Sequence, residues 1–423
     1  MTNSIHNPDQ FMSDLRFVLS QGKKRIGFLI GAGAATAIRI DDTTGKIADK
    51  GRPLIPDIAG LTEHVFANVQ KSEQDTMSII KGDLKEIHGD NPNIEAILSR
   101  IRLLGQAIGN SQLHGLNGSG FISLATNICK IIGDKVGADL PKEDNPYSEL
   151  VSWIAGTSRE HCVEIFTPNY DLLLEEAFER VKYPYFDGFV GGNEPFFDAT
   201  SIINDTLPTR WAKIWKIHGS LGWESKDNRI VRKGGRNANQ MIYPDHLKYD
   251  EIQKLPYSAL FERLRSFLLT PDSLLITTGF SFFDAHITAV IQESLNANAN
   301  SAVFAFQYKN LNEEQAAVNL AKKCFNLNVY ARDGAVIRGI SGAWMLGDNL
   351  PSKDWATIRK SYWDLGNTET PQSFILGDFK KMARFFALAQ STRMNHESPE
   401  KVGDIAIQPD VIPNTSIPAV TEE

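Results

Sequence analysis

Four short clusters of this chain hold residue types that could do chemistry. Gly31-Ala32-Gly33 follows the apolar run Arg25–Ile30. Glycines there let the backbone turn tightly and come near a phosphate with no side chain in the way. A helix after that turn would aim free N–H groups at the anion. Thr167-Pro168-Asn169-Tyr170-Asp171 sets a carboxamide and a carboxylate just past a second apolar run. His218-Gly219 ends a third, and an imidazole titrates near neutral pH, which suits proton transfer. Gly279-Phe280-Ser281-Phe282-Phe283-Asp284 follows a fourth. Each cluster alone has a plain structural explanation. The Gly31 turn needs no ligand, Asp171 can cap a helix with Asn169 in an Asx turn, and His218 can be a core histidine bonded to a carbonyl. The third glycine of the usual dinucleotide fingerprint is absent, with Thr36 and Ala37 in its place. No acidic residue falls on a second strand about 20 residues further on. An ordinary dinucleotide-binding dehydrogenase is disfavoured.

These clusters need elements to position them. Apolar spacing predicts a lead-in helix over residues 9–19 and strands at 25–30, 162–166, 214–217, 274–278, 303–306 and 328–331. Helices are expected over 172–181 and 257–269. A mostly helical block spans 61–140, with helices at 61–69, 93–108 and 121–132. Residues 41–52 read as a loop, 355–390 as helical, and the Pro-, Ser-, Thr- and acid-rich tail from His396 as disordered. Alternating strands and helices mean an α/β fold on a mainly parallel sheet, whose ligands bind outside the carboxyl ends of the strands. All four clusters fall at such ends, and that coincidence outweighs any single motif. The expected division is 1–60 for the start of the core, 61–150 for a helical insertion, 151–345 for the rest of the core, 346–395 for a helical C-terminal segment and 396–423 for the tail.

The chain has 423 residues, room for two or three domains, and a formal charge of −7, which argues against a generally basic, nucleic-acid-coating surface. Cys129, Cys162 and Cys324 lie far apart with no Cys-x-x-Cys pair. That removes a zinc ribbon and fits a reducing cytoplasm. The N-terminus lacks a basic region followed by an apolar core, and no apolar run reaches the roughly 20 residues of a membrane span, so a cytoplasmic protein without membrane attachment is expected. No internal repeat is visible. The basic stretch 229–236 reads as a solvated loop, with contact to DNA or an acidic partner left open. Trp211 and Trp215 fit core or cleft wall. Asp284 and His286 lack a third partner for a metal, so N-capping and packing explain them better.

Taken together the clusters resemble the sirtuin family. Its Gly-Ala-Gly turn matches Gly31-Ala32-Gly33, its Thr-Gln-Asn-hydrophobic-Asp motif matches Thr167–Asp171, its catalytic His-Gly matches His218-Gly219, and its Gly-Thr-Ser loop is similar to Gly279-Phe280-Ser281. The Ile-Pro-Asp-Phe-Arg-Gly loop has an echo in Ile55-Pro56-Asp57-Ile58-Ala59-Gly60. The likeness runs in order from about Arg25 to Trp344. Three features depart from the protein-deacylating members: the four zinc cysteines are missing, Phe-Arg is replaced by Ile58-Ala59, and about fifty residues separate Asn169 from His218. With these departures the chain looks like the bacterial sirtuin-like NADases of anti-phage defence, most of all the subunit encoded beside a HerA-type ATPase. The resemblance implies a Rossmann-like core that hydrolyses NAD to ADP-ribose and nicotinamide without zinc. It implies that Asp171 holds the nicotinamide amide, Asn169 positions ribose and water, and His218 takes a proton from a ribose hydroxyl. Gly31, Ala32, Gly33, Thr167, Gly279 and Ser281 would lie along the NAD, with Asp333 and Gly334 at the adenine end. It further implies a homo-oligomer docked on the ATPase. A protein deacylase, or a nucleotide-sensing subunit with little turnover, are the alternatives.

Overall fold

The computed structural model describes residues 4–88, 92–203, 207–227, 229–236 and 255–391. Arg25–Ile30 shows why the chain builds a parallel sheet. Five of its six residues are buried, so it is covered on both faces. The large sheet runs in the order Ile5–His6, Ile340–Trp344, Gly334–Ile337, Leu327–Tyr330, Ala302–Phe306, Ser273–Thr278, Arg25–Ile30, Val163–Thr167, Ala212–Lys216, Tyr185–Phe186. From Leu327–Tyr330 through Tyr185–Phe186 every pairing is parallel. This is a Rossmann-like α/β fold. Each strand expected from apolar spacing is present, with no end moved by more than two residues.

Successive residues of a strand feed opposite faces of the sheet. Phe28 joins a core with Met12, Leu15, Trp153 and Phe386, whereas Leu29 joins one with Phe166, Leu264, Phe267 and Leu275. On the first face the Phe28 ring meets Trp153 and Phe386 edge-on, each at 5.8 Å, which seats the helices Pro146–Gly156 and Phe379–Ser391. On the second, Tyr257–Leu269 and Ala285–Ala297 cover the sheet. The block after the first strand is helical: Ile58–Asn68, Lys71–His88, Ile94–Ala107 and Gly118–Val136. Its apolar faces, Val65, Ile97, Ile101, Phe121 and Ile128 among them, continue the first core.

Three expectations need correction. Residues 355–390 are not one helical stretch: Trp355–Arg359 is followed by the antiparallel pair Trp363–Asp364 and Ser373–Phe374, and only then by Phe379–Ser391. Gly366 at φ 66° and Pro371 break the helical pattern there. The strands expected from spacing stop at residue 331, whereas a hairpin, Gly334–Ile337 and Ile340–Trp344, follows them and extends the sheet antiparallel. The basic stretch 229–236 is a solvated loop only in its second half, where residues 233–235 are exposed. Arg229–Arg232 is a strand, Arg232 pairs with Asp187, Lys233 pairs with Glu224 at 2.7 Å, and Arg236 pairs with Glu176 and with Asp139. The tail from His396 lies outside the described residues. Among the described residues no helix is long and apolar enough to cross a membrane.

Candidate active site

The register of four neighbouring strands brings the polar clusters to one edge. Ile30 pairs with Thr278, Leu29 with Phe166, and Thr167 with Lys216, so the exits of these strands lie side by side. Cross-links lock them. The Gly31 N–H donates to the Thr278 carbonyl at 3.0 Å, the Thr167 hydroxyl to the Ile30 carbonyl at 2.7 Å, and the Ile217 N–H to the Thr167 carbonyl at 2.9 Å. A cavity of about 480 Å³ opens over this edge. It is lined from the sheet side by Ala32, Asn169, Asp171, His218, Gly279, Ser281 and Asp284, and from the helical block by Ile58, Leu61, Glu95 and Val136.

Thr167 is a buried support whose hydroxyl also accepts the Asn169 N–H at 3.1 Å. The Asn169 side chain donates to the Gly31 carbonyl at 3.1 Å, so the second and first strand exits are tied through the residue that resemblance marks for catalysis. Asp171 accepts the Leu173 N–H at 3.1 Å, and its main-chain carbonyl accepts a bond from the Lys216 ammonium. Lys216, itself 2 % exposed, also faces Glu175 at 3.4 Å. Burial pushes the Asp171 and Glu175 carboxyls above the usual carboxylate range, with Lys216 opposing the shift.

His218 sits at 3 % exposure after the Ala212–Lys216 strand, where Gly219 at φ 90° makes the turn. Its Nε2 lies 3.2 Å from Asp284 Oδ2. The other Asp284 oxygen accepts the N–H groups of His286 and Ile287, both at 3.0 Å, at the start of Ala285–Ala297. Asp284 is thus the N-cap expected of it, and also the partner of the histidine, a role that sequence reasoning missed. The cap explained the aspartate fully, and the pairing crosses between segments far apart in the chain, so periodicity carries no sign of it. The loop before it is held by Gln307, whose amide donates to the Phe280 carbonyl at 3.0 Å. Phe282, at φ 61°, is buried, while Phe283 beside it is 79 % exposed at the cavity wall.

The glycines act first on the chain itself. A side chain at Gly31 would collide with the Gly279 carbonyl, and a Cβ on Gly33 would come 2.8 Å from Gly279 Cα. The Gly33 N–H donates to the Gly279 carbonyl at 3.0 Å, Ala34 N–H to Gly31 at 3.0 Å, and Ala35 N–H to Ala32 at 3.2 Å. Asp333 and Gly334 stand apart from the cavity lining. Asp333 accepts the Leu311 N–H at 2.9 Å, and Gly334 begins the hairpin strand. Trp215 is buried and donates to Glu164 at 2.8 Å. Among the described residues, no group of three or more His, Cys, Asp or Glu side chains is placed to hold a metal ion.

Residues 163–327 match the family model of a SIR2-like domain. The match covers under half of the chain. It takes in Asn169, Asp171, His218, Gly279, Ser281 and Asp284, and leaves the Gly31 turn and the helical block outside. No curated protein matches the chain.

Proposed function

We propose that the chain hydrolyses NAD to ADP-ribose and nicotinamide at the cavity over the strand exits. The observation that carries this reading is His218, buried and set against Asp284 at 3.2 Å, in one cavity with Asn169 and Asp171. SIR2-like domains use NAD, which supports a site of this chemistry in residues 163–327. The glycosidic C1′–N bond breaks with its electron pair going to the ring nitrogen, so nicotinamide leaves neutral and positive charge builds on the ribose. Water bonds to C1′ and one proton is released overall. In this reading His218 takes a proton from a ribose hydroxyl, Asn169 orients ribose and water, and Asp171 holds the carboxamide of the leaving ring. Ala32, Gly279 and Ser281 line the space that remains, while Gly31, Gly33 and Thr167 support the loops from behind.

Ile58 on the cavity wall, with Ala59 after it, stands where a deacylase of the family carries Phe-Arg, which favours hydrolysis over transfer to an acyl-lysine. Incubation with NAD, with and without an acetylated peptide, separates the readings. Nicotinamide released without peptide is the expected result. Release only with peptide assigns a deacylase, and no release favours a nucleotide-sensing subunit or an enzyme that needs activation.

The resemblance of Thr167–Asp171 and of Gly279-Phe280-Ser281-Phe282-Phe283-Asp284-Ala285-His286-Ile287 to the HerA-associated branch supports a further step. The chain would serve anti-phage defence as a homo-oligomer docked on a HerA-type ATPase, which would restrain an activity that otherwise drains the cell's NAD. Mass measurement at micromolar concentration, alone and mixed with such an ATPase, tests it. A strict monomer that forms no complex removes this step and leaves the hydrolase.

A further inference from the structure

The strand that leads to His218 buries an ammonium two residues earlier. Lys216 is 2 % exposed, and its Nζ donates to the main-chain carbonyl of Asp171 and stands 3.4 Å from Glu175. Holding the chain there does not by itself need a charge. Neutral bonds already tie the same two stretches: the Ile217 N–H donates to the Thr167 carbonyl at 2.9 Å, and the Leu221 N–H to the Tyr170 carbonyl at 3.1 Å. A buried ammonium is costly unless it meets negative charge. Two carboxyls feel it, Asp171 and Glu175. Glu175 Oε2 and the buried Tyr147 hydroxyl beside these acids have no hydrogen-bond partner among the described residues. The acids further out have cations of their own: Arg232 pairs with Asp187, and Arg236 and Arg180 pair with Glu176. Lys216 therefore serves both Asp171 and Glu175. Asp171 lines the cavity together with His218, Asp284 and Glu95, whereas Lys216 and Glu175 stand behind its wall.

We infer that Lys216 is a positioning residue of this site: its ammonium fixes the main chain at Asp171 and supplies the counter-charge that leaves the Asp171 carboxylate to accept the carboxamide N–H of the leaving ring. The inference deepens the NAD-hydrolase reading and rests on the place given there to Asp171. An ionised Asp171 makes a charge-assisted bond to that N–H, and a protonated one does not. Burial pushes the Asp171 carboxyl up, Lys216 brings it down, and Glu176 adds to the rise. Glu175 competes for the same ammonium, and its charge and that of Asp171 disfavour each other. The acid side of ligand binding should therefore follow the charge behind the wall, moving to higher pH without Lys216 and to lower pH without Glu175.

Calorimetry of nicotinamide binding against pH reads this, in a His218→Ala background that removes the titration of the imidazole. Nicotinamide release from NAD, with His218 intact, is measured alongside. Lys216→Met should move the acid midpoint of binding upward by about one pH unit or more, and Glu175→Gln should move it downward by about half a pH unit. A residue that only braces the fold would lower the melting temperature and leave both midpoints in place. That result overturns the inference, as do shifts of the same sign. Should Lys216→Met fail to fold, Glu175→Gln decides alone, since it removes a buried charge and keeps the shape. A downward move then upholds the inference, and no move overturns it. Opposite shifts with no release from NAD by the wild-type chain keep the role of Lys216 and remove the hydrolase. Release with unmoved midpoints keeps the hydrolase and removes the role, and neither binding nor release removes both.

Discussion

An imidazole works as a proton acceptor in one orientation only, and His218 has that orientation set by a carboxylate that is itself immobile. Asp284 is fixed because its second oxygen caps the following helix with two bonds at 3.0 Å. The two tasks can be separated. Asn caps a helix as well as Asp, so Asp284→Asn should keep the melting temperature and lower nicotinamide release about 10- to 10³-fold, whereas Asp284→Ala should also lose about 1 kcal/mol of stability. Equal turnover in Asp284→Asn and wild type would reduce the contact to a cap. His218→Ala should lose about 10²- to 10⁴-fold while remaining folded. Asn169→Ala should also lose turnover, and full activity there would make Thr167–Asp171 a turn and nothing more. Asp171 poses the opposite trade. Its carboxyl is raised by burial, so the folded state binds its proton more tightly than the unfolded chain does. Stability from this group is present while it is protonated and is lost as pH rises through the raised folded value. Asp171→Asn keeps an acceptor for the Leu173 N–H and removes the buried charge. The variant should therefore lose activity yet gain about 1 kcal/mol, and the gain should grow as pH rises above the ordinary carboxylate range and level off once the raised folded value is passed. A gain that shrinks with rising pH would contradict this account.

At the scale of elements, the site depends on two strand exits crossing at van der Waals distance. Gly279 sits at φ 61°, and a Cβ there would run into the Ala34 N–H. Gly279→Ala should cost about 2–4 kcal/mol from strain and overlap together, read as a shift in urea midpoint. A loss under 0.5 kcal/mol would mean that the two loops are not held together as described. The crossing explains what a reader of the sequence could and could not see. Gly31, Gly33 and Gly279 are visible as glycines after apolar runs, but which one answers which depends on Arg25–Ile30 lying beside Ser273–Thr278. The hairpin that extends the sheet left a local sign, the glycine of its two-residue turn Arg338-Gly339, at φ 51° and 80°. The small sheet of Phe189–Val190, Phe196–Phe197, Trp223–Lys226 and Arg229–Arg232 left none, because two to four residues are too few to show a period. The helical block was legible from apolar spacing on Ile94, Ile97, Leu98, Ile101 and Leu104. That Glu95 on the same helix reaches the cavity was not, since half-buried polar positions carry no periodic mark.

Across the whole molecule, the two ends of the described chain close on each other. The Pro8–Ser20 helix carries Asp9, fully buried, which accepts from Trp355 Nε1 at 3.1 Å, from Arg359 Nε at 2.9 Å, and from the Tyr362 hydroxyl. A lone buried carboxylate would be costly, and here its lone pairs are matched by donors from the far end of the sequence. Nothing in the local pattern around Asp9 announces this, because an acid in the first turn of a helix is explained by the helix alone. Removing one partner strands the other. Arg359→Met should cost about 3–5 kcal/mol, because it leaves the fully buried Asp9 without its cation, and Asp9→Ala should cost less, because the guanidinium it strands is partly exposed. The double variant should be less destabilised than the sum, with a coupling of at least about 1 kcal/mol in a double-mutant cycle from urea melts. Nicotinamide release below the melting transition should match wild type in all three proteins, since none of these side chains lines the cavity. Additive losses would mean that Asp9 and Arg359 act independently. Loss of turnover at full folding would mean that the closure of the chain ends reaches the active site.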